Sequence, residues 1–110
     1  MSERRFTVVW TEIAAADVER LAGYLIDESP PRAEAVLDRI ITRAESLDRS
    51  PERGRAPREL RSIGDRTWRE LQEPPWRILY RIVGKAVEIH GVLDGRRDLG
   101  DILLERLLQG

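Results

Sequence analysis

Apolar residues along this chain follow two periods, and the switches between them mark out the elements. "RFTVVW", Arg5 to Trp10, is short, β-branched and aromatic, which predicts a strand. After Thr11 the period changes. Val18, Leu21, Ala22 and Leu25 recur at the three-and-four spacing of one helix face. A threonine just before such a run is an N-cap signal, because its hydroxyl can accept from an otherwise unpaired first-turn amide. The helix must stop near Ser29, because Pro30 and Pro31 cannot continue it. Ser29 can in turn cap a second helix with proline in its first turn. Ala33, Val36, Leu37, Ile40, Ile41, Ala44 and Leu47 then form the cleanest apolar stripe in the chain. Arg32, Glu34, Asp38, Arg39, Arg43 and Glu45 fill the remaining faces. So short a break between two helices predicts an antiparallel helical hairpin.

Ser50-Pro51 ends the hairpin. From Ser50 to Arg66, proline, glycine and arginine dominate, which predicts a loop with one helical turn around Arg58 to Ile63. Strand signals follow: "TWRELQ" from Thr67 to Gln72, "WRILYRIV" from Trp76 to Val83 and "AVEIHGVL" from Ala86 to Leu93. Pro74-Pro75 breaks the first from the second, and Gly84-Lys85 suits a tight hairpin. Leu99, Ile102, Leu103, Leu107 and Leu108 make a short amphipathic C-terminal helix. The predicted fold is α+β: strand, helix, helix, then a three-strand antiparallel meander and a last helix. A small, mostly antiparallel sheet packed by a helical hairpin buries both apolar faces.

Composition narrows the picture. The 110 residues fit a single domain spanning 1–110, without repeats or a linker. No run approaches the roughly 18 apolar residues of a membrane span, and no signal peptide is evident, so the expected location is cytoplasmic. Without cysteine there is no disulfide framework and no cysteine metal site. The net charge of −1 conceals an asymmetry. Trp10 to Asp48 carries nine acidic and four basic residues, whereas Arg49 to Arg97 carries twelve basic and seven acidic. Such halves are either ordinary solvated faces or two surfaces with different partners. Lys85 is the only lysine, and arginine favours bidentate contact with carboxylate or phosphate.

Candidate chemistry is sparse. His90, the only histidine, has no ligand-type neighbours in sequence and reads as a half-buried strand residue alternating with Glu88 and Val92. No serine is marked as a nucleophile, and no glycine-rich phosphate loop is present. The arginines remain. Side chains two apart on a strand share a face, so Arg77, Leu79, Arg81 and Val83 lie together, opposite Trp76, Ile78, Tyr80 and Ile82. The latter set is the core side. The former cannot be buried without partners for its charges. It is a wet surface, a groove for an acidic ligand, or a set of cross-strand pairs with Glu70 or Glu88. Gly95-Arg96-Arg97-Asp98 adds two guanidiniums where the last strand ends.

Taken together, "VVWTEIAAADVERLAGYL", "SPPRAEAVLDRIITRAESLDRSPERGR" and "WRELQEPPWRILYRIVGKAVEIHGVLDGRRDL" resemble the RelE/ParE superfamily of toxins from bacterial type II toxin–antitoxin systems, and its ParE branch more closely. The Trp-Thr-x-x-Ala start, the Pro-x-x-Gly-Arg exit, the Tyr-Arg-Ile strand and the Gly-Arg-Arg-Asp end occur in family order. The resemblance implies a strand-helix-helix-strand-strand-strand fold and a co-expressed antitoxin. One branch, similar to RelE, cleaves messenger RNA on the ribosome; the other, similar to ParE, blocks DNA gyrase without cutting RNA. Metal-free RNA cleavage needs groups that move protons and stabilise the phosphorane. Arg77 and Arg97 match two arginine positions of the nucleases, but the family's tyrosine position reads Leu103. Lys85 sits in a turn, Tyr24 and Tyr80 lie on the first helix and the core side, and His90 is mid-strand. The expectation is therefore a non-enzymatic toxin without cofactor or metal that inhibits DNA gyrase. The alternatives are a RelE-like mRNA interferase and an antitoxin-binding domain without toxicity. The resemblance implies a ParD-like antitoxin in a heterotetramer or larger complex. Expected antitoxin contacts are Leu21, Leu25, Arg77, Leu79, Arg81 and Val83. Expected target contacts are Arg96, Arg97, Leu103 and Leu107, without direct nucleic-acid or membrane binding.

Overall fold

The computed structural model describes residues 5–61, 64, 66–97 and 99–109, excluding the side chains of 107–109. Strand β1 (Thr7–Trp10) leads into α1 (Glu12–Glu28) and α2 (Pro30–Glu45). Two 3₁₀ turns at Ser46–Asp48 and Pro51–Arg53 and a one-turn helix α3 (Arg58–Arg61) follow. The meander is β2 (Trp68–Glu73), β3 (Trp76–Val83) and β4 (Ala86–Asp94), and α4 (Gly100–Gln109) ends the chain. The predicted helical turn thus forms over Arg58–Arg61, and Ser62 and Ile63 lie outside the described residues.

The caps bear out one prediction and modify another. Thr11 Oγ1 accepts from the Ala14 amide at 3.2 Å and donates to the Ile89 carbonyl at 3.0 Å, so one hydroxyl starts α1 and pins it to β4. Ser29 occupies the N-cap position of α2, but its side chain makes no capping bond. Pro30 and Pro31 lack N–H groups, which leaves fewer orphan donors to satisfy.

The sheet order is β1-β4-β3-β2. β1 runs parallel to β4, from Thr7 opposite Ala86 to Trp10 opposite Ile89, and the other pairs are antiparallel. Gly84 opens the β3–β4 turn at φ +59°, a backbone region glycine enters without steric cost. One irregularity reshapes β4. Leu79 pairs with Gly91 and Tyr80 with Ile89, so His90 is an extra residue in a β-bulge. Because side chains alternate, that single insertion moves Val92 to the opposite face from His90 and Glu88. The simple alternation expected for these three residues does not hold.

The main core lies between the helical hairpin and one sheet face. Ala14, Leu25, Ala33, Val36, Ile40, Ala44 and Leu47 pack there on Leu71, Ile78, Tyr80, Val87, Ile89 and Val92. Ile41, predicted in the same stripe, is exposed at the rim. The opposite sheet face is also closed. Leu60 of α3 and Leu99 and Leu103 of the C-terminal segment cover Trp68, Leu79 and Leu93 in a second, smaller core. The expected two-layer molecule is therefore three layers deep over much of the sheet.

Candidate functional site

The Arg77 face carries the charge chemistry of the fold. β3 directs Arg77 onto the second-core side, where Glu70 of the adjacent strand and Glu59 of α3 converge on it. Its Nη1 and Nη2 donate to the two oxygens of Glu59 at 2.7 and 2.8 Å. Its Nε donates to Glu70 Oε1 and Oε2 at 3.1 and 3.2 Å, and Nη2 also bonds Glu70 Oε1. Glu70 is 2% exposed and receives a further contact from Arg55 Nε at 3.6 Å. The Arg77 hydrogen bonds hold the Glu59 carboxyl well below its usual range, at about 2. The same bonds push the Arg77 guanidinium further toward its charged form. Gly95 permits the closure, since a Cβ there would lie 2.9 Å from the Pro75 carbonyl and 3.0 Å from Arg77 Cδ.

Arg81 is satisfied in the same way. Its Nε donates to Glu88 Oε1 at 2.8 Å, and its guanidinium lies 5.2 Å from the Trp68 ring centroid. His90 Nε2 donates to the same Glu88 oxygen at 3.0 Å, and its ring meets Trp68 edge-on at 4.7 Å. The His90 and Arg81 hydrogen bonds lower the Glu88 pKa. Of the three readings left open by the strand pattern, cross-strand pairing with Glu70 and Glu88 is the one found.

The expected antitoxin contacts do not form one surface. Leu79 and Leu25 are buried, in different cores on opposite sides of the sheet. Leu21 is half-buried on the hairpin side, and Val83 is exposed at the β3 end. Leu79 and Leu25 are thus closed to contact in this conformation. Among the expected target contacts, Leu103 is likewise buried in the second core. Arg96 is exposed but forked onto Asp94, with Nε and Nη2 donating at 3.0 and 2.9 Å, and sits 5.9 Å from the Trp76 ring centroid. Arg97 is exposed, with its amide bonded to the Asp94 carbonyl. Leu107 lies in α4 with its side chain outside the described residues, as does Asp98 entirely.

Sequence reasoning missed the buried ion pair of Asp17 and Arg106. β1 ends at Trp10, which leaves the β4 edge unpaired beyond Ile89. Asp17 of α1 and Arg106 of α4 meet over that edge, with Arg106 Nη1 and Nη2 donating to Asp17 at 2.9 and 2.8 Å. Asp17 Oδ2 accepts the Val92 amide at 3.0 Å, and Arg106 Nη1 donates to the His90 carbonyl at 2.7 Å. Two side chains thus satisfy the exposed strand groups. Gly91 makes room, since a Cβ there would meet Arg106 Nη1 at 2.9 Å. The available signal was an aspartate within the spacing of an otherwise apolar helix face. Among the described residues no group of side chains is placed to hold a metal ion.

A helical hairpin on one face of a four-strand sheet, with a short C-terminal helix on the other, defines the RelE/ParE type of toxin fold. A family model described as the ParE toxin of the type II toxin–antitoxin system parDE matches residues 8–99, and the chain belongs to that family. It is 37% identical over 83 residues to Toxin RelE2 of Caulobacter vibrioides, covering 74% of this chain and 86% of the relative. The toxin–antitoxin complex RelBE2 of Mycobacterium tuberculosis contains a chain with TM-score 0.58 and 26% identity, covering 84% of this chain and 97% of that one. The chromosomal ParDE system of P. aeruginosa shares the fold at TM-score 0.65 and 20% identity, covering 83% and 97%.

Proposed function

We propose that this type II toxin is a binding protein that inhibits DNA gyrase in the cytoplasm, by stabilising the cleaved DNA–gyrase state, and that a ParD-like antitoxin neutralises it. One observation carries the non-nuclease part. Arg77, the arginine that would face a phosphorane in an RNA-cleaving relative, is held by two carboxylates of its own chain and is 11% exposed. A phosphate could take up the Arg77 fork only by displacing Glu59 and Glu70 from it.

The proton-transfer groups point the same way. Leu103 fills the second core where a nuclease would place tyrosine. The Tyr80 hydroxyl is buried, donating to the Pro51 carbonyl at 2.5 Å and accepting the Gly54 amide at 3.0 Å. Burial raises its pKa further from neutrality. His90 is committed to Glu88 and to Trp68. A binding toxin needs none of these groups free. It acts by favouring the target state to which it binds better.

RelBE2, 26% identical to this chain, was solved as a toxin–antitoxin complex, and the matching family model is of a parDE toxin, which supports an antitoxin partner. The assembly we propose is a heterotetramer or larger. Gyrase supercoiling and cleavage assays beside a translation assay test the target. Accumulation of cleaved DNA without codon-specific mRNA cuts is the expected outcome; mRNA cuts on translating ribosomes overturn it in favour of the interferase.

A further inference from the structure

Around Arg77 two further arginines are in a different state. Glu59 and Glu70 accept their short hydrogen bonds from Arg77. Arg55 Nε stands 3.6 Å from Glu70 and Arg58 Nε 4.0 Å from Glu59, both beyond hydrogen-bond reach. These two side chains are 60% and 79% exposed. Each guanidinium is thus the second claimant on a carboxylate that Arg77 already holds.

Arg55 and Arg58 rim a recess of 150 Å³. It runs into a second recess of 210 Å³, walled by Pro74, Pro75, Trp76 and Arg96, because Gln72, Arg77 and Gly95 line both. One groove therefore carries guanidiniums in each half and an apolar wall in the second. Arg97 follows Arg96, close enough for its charge to act on Asp94. Among the described residues, Arg55, Arg58, Arg77, Arg96 and Arg97 stand there against Glu59, Glu70 and Asp94. Glu73 pairs with Arg39 of α2 instead. Two positive charges are left over.

We propose that this groove takes a short acidic segment of the toxin's target protein, with carboxylates on Arg55 and Arg58 at one end and on Arg97 at the other, and an aliphatic side chain against Pro74, Pro75 and Trp76. Within the reading above, on which this step rests, that protein is gyrase. Guanidiniums hold planar carboxylates in a fork, which gives such a segment a defined orientation. Gln72, exposed and common to both recesses, offers a side-chain amide to the segment's main chain. Nucleic acid fits less well. A surplus of two charges, on a chain of net charge −1, matches a pair of carboxylates better than a run of phosphates.

The probe is a capped peptide of two leucines between glutamate pairs, titrated into the full chain and followed by NMR. The Trp76 indole and Gln72 side-chain signals should shift, and binding should weaken with salt. The Arg55→Ala/Arg58→Ala double variant, altered only at exposed side chains, should bind about tenfold more weakly. The Arg55→Lys/Arg58→Lys variant should bind with intermediate strength, and a peptide with glutamine in place of glutamate should not bind. Equal binding of the glutamine peptide, equal binding by the alanine variant, or unmoved Trp76 signals would each overturn the site. So would a duplex DNA oligonucleotide that shifts the same signals at lower concentration. A gyrase cleavage assay separates the two failures. There the alanine variant should need about ten times the wild-type concentration to trap cleaved plasmid. Equal trapping by wild type and alanine variant leaves the gyrase reading standing and removes this groove from the target surface. Wild type that traps nothing while the glutamate peptide still binds removes gyrase and leaves the groove as the site for an acidic segment of another target.

Discussion

Arg77 shows how one residue's surroundings decide its chemistry. A guanidinium between two carboxylates is stable as a group, but each member depends on the others. Removing one partner of a buried pair typically costs 3–5 kcal/mol, because the remaining charge is left uncompensated. Glu70→Ala should therefore lower unfolding stability by about 3 kcal/mol in urea titrations. Arg96→Ala, at a solvent-exposed pair screened by water, should change it far less than Glu70→Ala does. Acid reads the same network. The folded pKa of Glu59 lies at about 2, below its unfolded value of 4.5, so between those values the unfolded chain binds more protons. Its contribution is complete above pH 4.5 and is lost as pH falls toward 2. Glu59→Gln should flatten the stability–pH curve in that window, which acid-unfolding curves at several pH values would measure. Gly54 is a second residue whose smallness matters. A Cβ there would lie 2.1 Å from the Tyr80 hydroxyl, so Gly54→Ala should cost about 1–3 kcal/mol through overpacking.

Elements differ in how plainly the sequence announces them. β1, α1, α2 and the meander follow from short-range physics: period, caps, prolines and a glycine turn. The bounds of α1 and the meander strands lie within one residue of the predicted ones, whereas β1 begins two residues later, at Thr7, and α2 ends at Glu45, where a 3₁₀ turn carries Leu47. The closure of the second sheet face was not legible. Its charges left pairing with Glu70 or Glu88 as one of three readings, and the partner that strand alternation could not supply is Glu59, on a helix only one turn long. The bulge at His90 was equally hidden, since an inserted residue leaves the local pattern intact and only changes which face comes next. The attachment of α4 rests on Leu99, Leu103 and the Asp17–Arg106 bridge. Asp17→Asn weakens the bridge while keeping the side-chain shape, and it should loosen α4 and the β4 edge together. Hydrogen exchange should show faster exchange at the Val92 amide and across α4, with the α2 amides unchanged.

At the scale of the whole molecule, the two sheet faces are closed by different elements. One face is filled by the hairpin and the other by α3 and α4, so neither offers the broad open groove that the strand arginines suggested. What stays exposed is peripheral: Arg61 and Arg66 at the β2 edge, Arg96 and Arg97 after β4, and Tyr24 and Ile26 on α1. This distribution suits a domain that works by contact with larger partners. Arg96→Glu combined with Arg97→Glu should leave the fold intact, because both side chains are exposed, and should weaken gyrase inhibition. Unchanged inhibition in a supercoiling assay would remove these residues from the target surface.

The most direct measurement places the purified chain with DNA gyrase and plasmid in one reaction and with a translating ribosome preparation in another. Trapped, cleaved plasmid with intact messenger RNA is the predicted result. Untouched supercoiling together with codon-specific cuts in the messenger would contradict it.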